Sequence, residues 1–76
     1  MNQKRRDLLK LAIQTLERAS DYVSQALDEE QDCLDNMPEN LQASERYEKM
    51  ETAIDNMESA IEDIDRVKES IEEAAE

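Results

Sequence analysis

The side chains here that could do chemistry are almost all carboxylates: 21 Asp and Glu stand against 9 Lys and Arg in 76 residues, with no His, no Gly and a single Cys. Without histidine, the usual general base near neutral pH and the commonest metal ligand are both missing. Cys33 has no imidazole to take its proton, the serines have no base, and a phosphate-cradling loop needs glycine. Catalysis is not expected, and no cofactor is implied.

The densest acids, Asp28-Glu29-Glu30-Gln31-Asp32, do not form a calcium loop, which requires a glycine turn and ligands at alternating positions. On a helix they point in different directions. The Glu-x-x-His pairs of a di-iron bundle are also absent, so no metal site is expected.

One set of carboxylates is ordered. Glu48, Glu51, Asp55, Glu58, Glu62, Asp65, Glu69 and Glu72 follow one another in steps of three and four, continuing to Glu76, with no Lys or Arg among them. At a rise of about 1.5 Å per residue this is a ladder of charges about every 5 Å. Like charges at these spacings cost roughly 0.2–0.5 kcal/mol each, and a helix selected only for solubility would more often mix signs on one side. The stripe is therefore the candidate partner-binding surface. Phosphates along a nucleic acid form a comparable ladder, so a protein that holds nucleic acid through Lys and Arg fits it, and the stripe would act by nucleic-acid mimicry. The alternative is a structural homo-oligomeric bundle in which the charge serves solubility alone. A net charge of −12 repels nucleic acid and anionic lipid, so no direct nucleic-acid binding and no membrane binding are expected; the natural partner is a basic host protein.

Two helices must position these residues. The only proline, Pro38, disfavours helix at Met37, and Ser44 can cap a helix that carries Glu45 in its first turn. The spacing predicts one domain over residues 1–76, with a helix over about 3–36, a connection over about 37–44 and a second helix over about 45–75. Nearly equal arms joined by a short connection pack antiparallel, which gives an all-α, coiled-coil-like helical hairpin.

In the first helix Leu9, Leu16, Val23 and Met37 share an apolar column, flanked on one side by Ala12, Ala19, Ala26 and Cys33 and on the other by Ile13, Leu27 and Leu34. The second helix repeats this, with Tyr47, Met50, Ile54, Met57, Ile61, Ile64 and Ile71 on one seam and Ala53, Ala60, Val67 and Ala74 beside it. The core and oligomer seam is assigned to Leu9, Leu16, Val23, Leu27, Leu34, Met57, Ile61, Ile64 and Ile71. Cys33 is expected to be a buried packing residue. Two seams per helix is the pattern of a bundle, and 76 residues rarely supply more than about 3–5 kcal/mol of core, so two chains are expected to pair as a homodimer in a four-helix bundle.

Glu30 and Lys68 interrupt the seams, where a polar residue can fix register, bend out to solvent or mark a fraying end. Lys4, Arg5, Arg6 and Lys10 fall beside Glu69, Glu72, Glu73 and Glu76 in a hairpin, and pairing between these groups is expected. The basic start followed by Leu8-Leu9-Lys10-Leu11 superficially resembles a secretory signal, but Lys10 and Gln14 interrupt it, and the expected location is the cytoplasm.

The stretch from Leu34 to Met50, with its Asn-Met-Pro-Glu-Asn turn and the acidic heptad helix that follows, resembles a group of short uncharacterised acidic helical-hairpin proteins of Gram-positive bacteria and their phages. The resemblance implies no activity. It does imply a mobile-element product, a class in which small acidic proteins inhibit host factors.

Overall fold

A computed structural model describes residues 1–76 as two long helices, α1 (Gln3–Asp35) and α2 (Glu45–Ala74), joined by a connection that contains one 3-10 turn, Glu39–Leu41. Each helix begins on a side-chain cap. The Asn2 carboxamide oxygen accepts the Arg5 amide N–H at 2.9 Å, and the Ser44 hydroxyl oxygen accepts that of Tyr47 at 3.2 Å. Such caps occupy amide donors that the first helical turn leaves without partners. At the other end of α1, the Asn36 side chain donates to the Asp32 carbonyl at 2.8 Å, and Pro38 follows in extended backbone. The proline cannot continue the helix, and its carbonyl accepts the Leu41 amide to close the 3-10 turn.

The helices pack antiparallel along their whole length. At the open end the Arg6 guanidinium Nε donates to the Ala75 carbonyl at 3.2 Å, and further in, the Lys68 ammonium lies 3.7 Å from Glu17. The resulting rod measures 60 × 15 × 12 Å. Its radius of gyration is 17.4 Å, where a compact domain of this length would have about 11 Å. Only Met50 and Ile54, near the turn, are buried, at 8% and 5% exposure. The rest of the seam is half-buried: Leu9, Leu16, Val23, Leu27 and Leu34 from α1 face Met57, Ile61, Ile64 and Ile71 from α2. Away from the turn, two helices cannot enclose a core, because each seam residue there is covered from one direction only.

Cys33 corrects the expectation set by its heptad position: it is exposed. The hairpin closes through Leu27, Leu34 and the residues in line with them, and this rotates the Ala26 and Cys33 column out of the seam. No helix is long and apolar enough to cross a membrane.

Candidate functional site

The seven-residue repeat divides the rod into two long faces. Viewed from its own N-terminus, each helix carries its small-residue column displaced in the same rotational sense from the seam. Because the helices run in opposite directions, these two columns emerge on the same side of the hairpin. Two local arrangements agree with this geometry. Cys33 and Arg46, which extend the two small-residue columns, line one depression at the turn end. Lys68 leans toward the opposite side, where it meets Glu17.

That opposite side is the acidic one. Glu48, Glu51, Asp55, Glu58, Glu62, Asp65, Glu69 and Glu72 of α2 are all exposed on it or on its outer edge. Beside them, α1 contributes five acids that the stripe read along one helix had missed: Asp7, Glu17, Asp21, Asp28 and Asp35, also exposed. Their signal was present as a column at seven-residue multiples, Asp7, Asp21, Asp28 and Asp35, with Glu17 in the next column. Lys10 falls on this side by its column, and the Lys68 ammonium reaches it at Glu17. With Glu76, which continues the stripe, fourteen acids and these two bases carry −12, the whole net charge of the chain. The other seven of 21 acids and seven of 9 bases cancel. The charge is therefore partitioned, and one long face holds all of its excess.

The neutral face carries Ala12, Ala19, Ala53 and Ala60, half-exposed, and Ala26, Cys33, Val67 and Ala74, exposed. Leu8 and Tyr22 stand exposed at its α1 rim, Tyr22 at 67%. These side chains are short, so the backbone of both helices is accessible to close approach along this side.

The expected pairing at the open end is not formed. The ion pairs of the hairpin are Lys49 with Glu45, Arg66 with Asp63, and Lys68 with Glu17; none involves Lys4, Arg5, Arg6 or Lys10. Arg6 instead donates to a backbone carbonyl, and Arg5 to the Asn2 side chain at 3.3 Å. Of the two polar seam residues, Glu30 is half-buried, and the Lys68 side chain is 22% exposed, with its ammonium turned out to Glu17. A long aliphatic stem packed in the seam with its charge at the edge is the usual compromise for lysine.

No group of His, Cys, Asp or Glu side chains converges well enough to hold a metal ion. The acids project along a rod 60 Å long and do not converge on a point. No family model, curated protein or solved structure matches the chain.

Proposed function

We propose that this chain is a non-enzymatic interaction module whose acidic face receives a basic protein surface, with two hairpins pairing into a four-helix bundle. One observation carries the reading: the entire excess charge lies on one long face, while the remainder of the molecule is neutral. Charge placed for solubility has no reason to be sorted in this way, and the sorting is maintained against like-charge repulsion along α2. A rigid helical ladder of carboxylates imitates the regular phosphates of a nucleic acid, so the fitting partner is a protein that binds DNA or RNA through Lys and Arg. Inhibition of such a host factor is the biological role that this mimicry and the phage-like turn together suggest. The second reading, a purely structural bundle, draws on the shortage of buried residues.

The two readings separate in one experiment. The chain is immobilised at physiological ionic strength, and the retained basic protein is challenged with duplex DNA, with RNA and with rising salt. Mimicry requires that nucleic acid release the partner and that Asp55, Glu58, Glu62 and Asp65, replaced together by Gln, abolish retention. Retention that survives the substitutions and ignores nucleic acid eliminates mimicry.

A further inference from the structure

We infer that the second hairpin docks on the small-residue face, with the two turns at opposite ends of the bundle. This specifies the pairing proposed above, and its failure would leave the acidic-face reading standing.

The elongated hairpin has surface to spare for a partner. The hairpin exposes 5834 Å², whereas a compact protein of its mass exposes about 4,800 Å². The excess, on the order of 1,000 Å², matches one side of a standard stable interface, about 800 Å² per partner. Charge then selects the face. A second copy cannot approach the side that holds −12 without strong repulsion, while the opposite side sums to nearly zero and carries Ala26 and Val67 exposed.

Charge also selects the orientation. From Asp32 to Lys49 the turn end has five acids against Arg46 and Lys49, and at the open end Lys4, Arg5 and Arg6 have no carboxylate partner in the hairpin. Turns at the same end would set two segments of net negative charge side by side. Turns at opposite ends bring each cationic triad level with the other chain's acids.

Symmetry is satisfied by this second arrangement. On α1 the small column meets itself antiparallel with Ala19 over the partner's Ala26 and Ala12 over the partner's Cys33, and on α2 with Ala60 over the partner's Ala60. One two-fold axis must pass through both centres. The cross-helix contacts Arg6 to Ala75 and Glu17 to Lys68 place the α1 centre, between Val23 and Tyr22, level with Ala60 and Ile61. The acidic faces then point outward on opposite sides, so each dimer offers two equivalent surfaces to basic partners.

The decisive test is a thiol at the axis, in full-length Ala60→Cys with Cys33→Ser. Helices that meet through alanine bring these two Cα atoms within disulfide range, about 4.4–6.8 Å. Under mild oxidation we expect a covalent dimer on the order of tenfold faster than from Ser59→Cys in the same background, because Ser59 lies on the outer side. A dimer by light scattering in which Ala60→Cys cross-links no faster than Ser59→Cys overturns the orientation. The second variant, Ala26→Glu, alters a side chain already exposed in the lone hairpin, and its helical circular dichroism should be retained while the dimer mass is lost. Retained dimer mass in Ala26→Glu, or a monomer for the unaltered chain at micromolar concentration, overturns the docking face.

Discussion

On one long side of the hairpin, Ala53 and Ala60 lie next to the seam of α2; on the other side the equivalent places hold Glu51 and Glu58. The same division runs down α1, with Ala12 and Ala19 on one flank of the seam and Lys10 and Glu17 on the other. Both faces hang on one set of seam residues, so rotating either helix by one column would carry one of the flanks into the seam. The difference teaches that heptad phase does two jobs here. It aligns the half-buried strip that joins the helices, and it sorts −12 of charge away from the side where another backbone can approach closely.

The comparison breaks completely if the seam is lost. Ile54 is the most buried residue, and Ile54→Asp would place a carboxylate in the most buried part of the seam. The cost should exceed the roughly 3–5 kcal/mol available to a chain of this size. We expect loss of the helical circular dichroism at 25 °C and of both faces with it. A cooperative melt like that of the unaltered protein would show that the seam is not the structural element on which the faces depend.

Most of this architecture was legible in the sequence, and the part that was not has a physical reason. The limits of α1 and α2 follow from Pro38 and Ser44, whose effects are local. The acidic stripe of α2 follows from spacing within one helix. Cys33 and the five acids of α1 belong to a different class: their environment depends on which of two overlapping seams closes the hairpin, and that is a property of the pair. Heptad letters assigned to α1 alone place Cys33 beside Leu9 and Leu16 equally with Leu34; only the phase relative to α2 leaves it exposed. At the open end Arg6 reaches the Ala75 carbonyl across the hairpin, but the expected pairing of Lys4 to Arg6 with the α2 acids did not form, because long exposed side chains gain little from holding one geometry.

A smaller effect is expected on the acidic side, and its sign separates the two faces. Asp55, Glu58, Glu62 and Asp65 replaced together by Gln remove five like-charge spacings, counting those to Glu51 and Glu69, and two opposite-charge spacings, Glu62 to Arg66 and Asp65 to Lys68, each worth roughly 0.2–0.5 kcal/mol. The isolated protein should gain about 1 kcal/mol from the net three, and for a domain of this size each kcal/mol raises Tm by about 4–8 °C. Added salt should stabilise the unaltered chain more than the variant, since only the former has the full repulsion to screen. Thermal melts at low and high ionic strength measure both. A variant that melts lower than its parent would mean that these carboxylates stabilise the helix, and that the acidic face is a structural feature instead of a surface kept at a cost.

The smallest effect belongs to the one residue that links seam and acidic face. Lys68 occupies a seam position with its side chain 22% exposed, and its ammonium lies 3.7 Å from Glu17, which is 55% exposed. In Lys68→Met two contributions oppose each other. Losing an ion pair with a partner this exposed costs only about 0–1 kcal/mol after solvent screening, and removing a half-buried ammonium while retaining a flexible apolar stem returns a similar amount. Stability should therefore stay within about 1 kcal/mol of the parent. Register is where the substitution acts. With methionine at this place the seam of α2 reads as an unbroken apolar repeat, and sliding one helix by a heptad no longer drags a charge past Ile61 and Ile64. The variant should melt at nearly the parental temperature but less cooperatively, and with Ala60→Cys and Cys33→Ser its cross-linking should slow as the two-fold centres cease to coincide. A sharp melt and undiminished cross-linking would assign the register to contact between alanines alone, while a loss of more than about 2 kcal/mol would show the pair with Glu17 to be worth far more than its exposure allows.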